Sequence, residues 1–393
     1  MSAAQKTRGN GDRMGSTGLE GVVAATTQLS HVDGERGELI IAGYPVAELA
    51  EHATFEETTW LLWHGELPSR SQLETFRAAL ADARHLPAAT MTVLRDCARS
   101  NLDVMDALRI AAGTLSLVSA DATSIVARMP TIIASYWRML HGKGPLAPQL
   151  RLGHAANFLY MLSGALPNQN RVRGLETYLN TVIDHGLNAS TVTARVITST
   201  GSDLVSAVVG AIGALKGPLH GGAPGPALDL VLEIGDASRA EAVLRKKLEA
   251  GERLMGFGHR VYKVRDPRAD VLAKAAERMF TRVGDMSLYT LARSVEAEAV
   301  RLLDEYKPGR RLQTNVEFYT ALLLHDLGFD VSLFTPTFVV SRVSGWIAHA
   351  FEQRRHNRLI RPQSQYVGSR DRRWVPLAER ADGPYLAARS WEA

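Results

Sequence analysis

Two histidines stand out for what surrounds them. His220 lies in Gly217-Pro-Leu-His-Gly-Gly-Ala223, and His259 in Gly256-Phe-Gly-His-Arg-Val-Tyr-Lys-Val-Arg-Asp-Pro-Arg268. Flanking glycines free the backbone from steric limits and let a ligand approach the main chain. A helix start after the first segment would add free N–H groups facing that ligand. A flexible loop with a surface histidine is the plainer alternative there. The second segment adds Arg260, Lys263, Arg265 and Arg268 against one nearby acid, Asp266. That balance suits an anion site, with a solvated basic loop as the alternative. It is not a dinucleotide fingerprint, because Val261 stands where a third glycine is needed and no strand precedes it.

Further along, Thr314-Asn-Val-Glu-Phe-Tyr319 supplies a carboxylate, Glu317. It reads either as the last residue of a T-x-x-E capping box or as an acid–base group. Arg342 falls among Val339, Val343, Trp346 and Ile347. An arginine on so apolar a face is costly without a partner, which points to a ligand contact. Arg361 precedes a rigid proline in Asn357-Arg-Leu-Ile-Arg-Pro362. The sequence contains no HExxH spacing, Walker motif or G-x-S-x-G elbow. Histidines, one acid and several arginines fit acid–base chemistry on a small polyanion.

The elements that must position these groups read as helices. Thr54-Phe-Glu-Glu57 and Ser69-Arg-Ser-Gln72 are capping boxes ahead of apolar runs. Ser202-Asp203 opens a helix from Leu204 to Leu215, ended by Gly217-Pro218. Gly210 and Gly213 inside it require another backbone packed close. Ser238-Arg-Ala-Glu241 opens a helix ending near Gly251, and later periodicity predicts helices over 269–280, 288–305, 315–327 and 336–353. The last is expected to have Pro336 at its first position. Glu38–Tyr44 is the one strand signal, so the chain is mainly α-helical.

At 393 residues, the chain exceeds the size at which one core stops growing, which favours two domains. It is 46% hydrophobic and 22% charged, the balance of an ordinary soluble globular protein. The net charge of +4 lacks the concentrated basic stripe of a nucleic-acid binder. Cys97, the single cysteine, excludes an internal disulfide and a thiolate metal cluster and fits a reducing compartment. No apolar segment reaches the length of a membrane span or a secretory signal, so a cytoplasmic protein is expected, without membrane or nucleic-acid partners. Residues 1–16 are small, polar and Gly-rich and are expected to be disordered.

In this order, the segments resemble the citrate synthase family over residues 18–368. The resemblance rests on Gly18-Leu-Glu-Gly21, Gly43-Tyr44, Leu62-Trp-His-Gly-Glu-Leu-Pro68 and Asp184-His-Gly-Leu-Asn-Ala-Ser190. It continues through the two histidine segments, NVEFY, FTPTF and the RLIRP/YVG close. It implies an all-α homodimer with a large domain (17–221 and 329–393) and a small domain (222–328) that closes over substrate. It implies condensation of acetyl-CoA with oxaloacetate to citrate, or of propionyl-CoA to 2-methylcitrate, with no metal or redox cofactor. By motif, His220 would hydrogen-bond the thioester carbonyl, His259 would polarise the ketone, and Glu317 would be the base. His185, Arg268 and Arg342 would bind oxaloacetate, joined by Arg361 from the partner subunit. Arg253, Leu254, Met255, Gly256, Phe257 and Lys263 would contact CoA. Two departures stand out: Glu317 where the family usually has aspartate, and Ile41-Ala42 where many relatives carry an arginine before Gly-Tyr. The first leaves three readings open: a site rebuilt around glutamate, a slow enzyme, or a non-catalytic paralogue.

Overall fold

Capping chemistry starts several helices where the sequence requires it. Thr54 accepts from Glu57 N–H while Glu57 reaches back to the cap, and Ser69 and Gln72 do the same. Both capping boxes therefore hold, each satisfying two donors that a helix start leaves free. Asp203 caps the next expected start, accepting from Ser206 N–H at 2.9 Å. The computed structural model describes residues 18–380 apart from positions 20, 119 and 223. The stretch expected to be disordered, 1–16, lies outside the described residues.

Sixteen α-helices are present among the described residues. Seven bear on the site: α1 (Gln169–Val182), α2 (Ala189–Ser199), α3 (Leu204–Lys216), α4 (Pro267–Val283), α5 (Ser287–Tyr306), α6 (Val316–Asp326) and α7 (Phe334–Arg355). Strands β1 (Ser30–Asp33), β2 (Glu38–Ile41) and β3 (Tyr44–Pro45) form one antiparallel sheet in the order β1-β2-β3, with Asp33 opposite Glu38. The chain is thus all-α with one small sheet, and β1 is a strand that sequence periodicity did not signal. No helix among the described residues is long and apolar enough to cross a membrane.

Three local expectations are corrected. Pro336 is the third residue of α7, which begins two residues earlier at Phe334. The Ser238–Glu241 box does not form: Asp236 caps a short 3-10 turn over Ala237–Arg239, and the following helix has no side-chain cap. In α3, Gly210 gives way to a side chain, since a Cβ there would sit 2.3 Å from Ile197 Cδ1. Gly213 has no close neighbour, so the tight backbone packing expected at both glycines is absent.

Helix α7 organises the interior. Val339, Val340, Val343, Trp346 and Ile347 are all fully buried. A helix buried around its circumference belongs inside a core. Its closest approach is at Gly345, where a Cβ would lie 2.3 Å from the Ile183 carbonyl oxygen. This contact brings α7 against the segment that follows α1 and carries Asp184 and His185. Packing divides the chain after Leu359. The part from Ile360 onward is a separate unit whose described residues hold only a short 3-10 turn, Leu377–Glu379.

Candidate active site

The loop carrying His259 is stitched to the start of α6 by backbone pairing. Phe257 bridges Thr314, Gly258 N–H donates to Gln313 O at 2.7 Å, and Asn315 N–H donates to Gly256 O at 3.0 Å. Asp266, 1% exposed, ties three pieces together. Its carboxylate caps α4 through Arg268 N–H (3.0 Å) and accepts from Val316 N–H of α6 (3.2 Å). It also pairs with the Arg268 guanidinium at 3.0 and 2.7 Å. Burial alone would raise this carboxyl, but Arg268 and then His259 hold it below the ordinary range. Behind the same loop, buried Glu296 of α5 accepts from Tyr319 Oη (2.5 Å), Arg293 (2.9 Å) and Arg265.

The His259 ring is fixed by main chain. Its Nδ1 accepts from the N–H groups of Val261 and Tyr262, each at 3.0 Å. Amides can only donate, so the proton of the neutral ring sits on Nε2. That atom lies 3.5 Å from Arg268 Nη2, so two donors face the same space. Burial, and then Arg268, push the His259 pKa down to about 4. His185 stands edge-on to His259, ring centres 5.5 Å apart, with Nε2 3.1 Å from the Tyr262 hydroxyl. Burial holds His185 well below its usual pKa as well.

His220 has the opposite tautomer. Ser190 N–H donates to its Nε2 at 3.3 Å, and Ser190 Oγ lies 2.8 Å from the same atom. Trp346 Nε1 on α7 donates to Ser190 Oγ at 3.0 Å, setting the serine. Nε2 is therefore the acceptor, and the ring's proton is on Nδ1. Burial, and then Arg342, bring its pKa to about 4. Both histidines are uncharged hydrogen-bond donors at neutral pH.

Arg342 is fully buried on α7, donating from Nε to Val182 O at 2.7 Å, with its guanidinium 4.6 Å from the Phe338 ring centre. Burial lowers its pKa to about 10. Beside it, Asp184 heads a buried chain. His349 Nε2 lies 3.1 Å from Asp184 Oδ1, Arg195 lies 3.0 Å from His349 Nδ1, and Glu352 accepts from Arg195 at 2.7 Å.

The capping-box reading of Glu317 is overturned. Asn315 is the cap of α6 and accepts from Glu317 N–H at 3.0 Å, so Glu317 is the second helical residue. Thr314 is buried in the bridge to Phe257, and its hydroxyl has no partner. Among the described residues, no hydrogen bond or ion pair engages the half-buried Glu317 carboxylate. Burial raises its pKa to about 7, opposed by Arg268 and Arg342 and reinforced by Asp266. A carboxylate that is half ionised at neutral pH in the field of two arginines can accept a proton.

Residues 18–363 match the family described as citrate synthase, C-terminal domain. The chain belongs to the citrate synthase family. It is 41% identical to citrate synthase of Haloferax volcanii over 379 residues, covering 92% of this chain and 98% of that one. It is 40% identical over 368 residues to 2-methylcitrate synthase of Mycobacterium tuberculosis, covering 90% and 91%. A solved structure of citrate synthase from Thermoplasma acidophilum, in ternary complex with carboxymethyl coenzyme A and oxaloacetate, superposes with TM-score 0.86. It is 30% identical and covers 93% of this chain and 99% of that one.

In this citrate synthase-type chain, His185, His220, His259, Arg268, Glu317 and Arg342 form one electrostatically connected cluster. Of the others expected at the site, Lys263 adds its charge to those that lower the His259 pKa. Arg361 is exposed and belongs to the unit from Ile360 onward. Arg253 and Lys263 are exposed, Leu254 and Gly256 are buried, and the Phe257 ring packs 5.2 Å from Phe318. Sequence reasoning missed Tyr262, Ser190 and Trp346. The first two lay inside quoted motifs, but their roles depend on partners 77 and 30 residues away. A groove of about 760 Å³ lined by Trp60, Trp63, Phe76 and Phe351 shares no residue with the cluster.

Proposed function

We propose that this protein condenses acetyl-CoA with oxaloacetate and hydrolyses the resulting thioester to citrate and CoA, in the cytoplasm. The observation carrying this reading is the uncommitted Glu317 carboxylate in the field of Arg268 and Arg342, the same arginines that act on the neutral imidazoles of His259 and His220. Arg268 and Arg342, with His185, bind the oxaloacetate carboxylates, because guanidinium forks match carboxylates in shape and charge. Glu317 takes a proton from the thioester methyl while His220 Nδ1–H stabilises the charge on the thioester oxygen. The new carbon–carbon bond forms at the ketone carbon, and the ketone oxygen takes the proton of His259 Nε2, which the proton carried by Glu317 replaces. Water then cleaves the thioester, releasing CoA. The segment 253–257 and Lys263 serve the CoA side, and closure of residues 222–328 over 17–221 and 329–393 excludes water during condensation.

A second reading, 2-methylcitrate synthesis from propionyl-CoA, is favoured by the equally extensive similarity to a 2-methylcitrate synthase. One methylene in an apolar pocket discriminates by only ~1–3 kcal/mol, so both thioesters should turn over. Oxaloacetate-dependent thiol release, measured with each thioester, separates the readings. We expect the higher kcat/KM with acetyl-CoA. A tenfold preference for propionyl-CoA transfers the assignment, and substrate binding without thiol release from either leaves a non-catalytic paralogue.

The site is completed in a homodimer, with Arg361 supplied by the partner subunit. Arg361→Ala subunits and Glu317→Gln subunits, each inactive alone, should regain about a quarter of wild-type sites after equal mixing and random exchange. Half of the dimers are then mixed, and one of the two sites in each is intact. No recovery after verified exchange counts against a shared site.

A further inference from the structure

We propose that the β1–β2 hairpin is the positioning element for His259, with Gly34 in its turn as the residue on which this depends. The inference rests on the reading of His259 as the donor to the ketone. His259 Nδ1 is held by the amides of Val261 and Tyr262, and the turn lies directly against that piece of main chain. Lys263 N–H donates to Gly34 O at 2.8 Å. A Cβ at Gly34 would lie 2.2 Å from Val261 O and 2.8 Å from Val261 C. Those are backbone atoms, so no rotamer change can absorb the contact.

The turn is stiff enough to act as a brace. Asp33 Oδ1 accepts from Glu35 N–H (3.0 Å) and Arg36 N–H (2.9 Å) at the end of a paired ladder. The hairpin's other end grips the second site segment. Ser30 Oγ donates to Asp184 Oδ2 at 2.6 Å and accepts from Gly186 N–H at 2.9 Å, on either side of His185. One hairpin therefore touches both the segment bearing His185 and the loop bearing His259, and it sets the edge-on geometry of the two rings. A loop held this way keeps the Nε2 proton of His259 aimed at the oxygen it serves.

Full-length Gly34→Ala is the test, with Arg36→Ala in the same turn as a control expected to match wild type. Amide exchange over residues 261–263 should accelerate at least tenfold, and kcat should fall about 10–100-fold, the effect of ~1 Å misplacement. The ring nitrogen signals of His259 should lose the Nδ1-acceptor, Nε2–H pattern, and thermal melting should fall by a few degrees because the backbone overlap has to be relieved. Loss of a merely structural contact would lower melting and leave the ring signals alone. Unchanged exchange in Gly34→Ala overturns the brace, and faster exchange with wild-type kcat overturns its bearing on the reaction. If Gly34→Ala does not fold, Asp33→Ala is used, which removes the carboxylate that accepts from the Glu35 and Arg36 N–H groups and stiffens the turn. It should loosen the same loop to a smaller extent, and unchanged exchange there also overturns the brace. A wild type without turnover removes the functional reading, while the exchange result still accepts or rejects the brace.

Discussion

Glu317→Gln will fold and lose condensation by ~10²–10⁴-fold in kcat, the range typical of general-base removal. The fold tolerates the change because Asn315 caps α6 and no contact is lost with the carboxylate. The pH profile gives the same group a second signature. With its pKa raised to about 7, wild-type kcat/KM should fall tenfold per unit below neutrality and level off above it, and the variant should lack that limb. Stability moves the other way. A carboxyl whose folded pKa exceeds its ordinary 4.5 penalises the folded state above neutral pH, and the penalty fades as pH falls from about 7 to 4.5. Glu317→Gln should therefore be more stable than wild type at pH 8 by roughly 1–3 kcal/mol, and equal to it below pH 4. Glu317→Asp should also lose activity, because the shortened side chain withdraws the carboxylate from the methyl. A tenfold gain would mean the site is built for aspartate. Wild-type turnover in the Gln variant would remove Glu317 from the mechanism.

Arg268→Met will damage stability and binding together. The substitution leaves Asp266 buried without its cation, and stranding one member of a buried pair costs about 3–5 kcal/mol. Adding Asp266→Asn removes the stranded charge but keeps an acceptor for only one of the α4 and α6 amides, which bond different oxygens of the carboxylate, so part of the lost stability should return. Oxaloacetate affinity should not return, remaining ~10²–10³-fold down because a buried charge contact to a carboxylate is missing. Urea unfolding and oxaloacetate titration of both variants check this. A double variant as unstable as the single one means the pair does not hold the loop to α4 and α6. Near-native affinity in the folded double variant means Arg268 does not clamp the substrate.

The helical fold and the cluster were legible wherever a local rule decides. Capping boxes at Thr54 and Ser69 need only a four-residue template, and Arg342 announced itself because a cation among Val339, Val343 and Trp346 demands a polar partner. Misreadings arose where two local rules overlapped. Thr314 and Asn315 both qualify as caps, and tertiary pairing of Thr314 with Phe257 decided for Asn315. β1, Ser-His-Val-Asp, shows no clear alternation because its side chains are spent on turn and site contacts. The tautomers of His220 and His259 were invisible, since each depends on amides placed by the folded loop.

The chain Asp184–His349–Arg195–Glu352 has a consequence on an evolutionary timescale. Arg195 can only donate, so His349 Nδ1 accepts and its Nε2–H donates to Asp184, and a single replacement at any of these links leaves its neighbour short of a partner. Drift at one of these positions is viable only with a compensating change beside it. The lineage is thus free to vary its surface helices one residue at a time, but must revise this line in coupled steps.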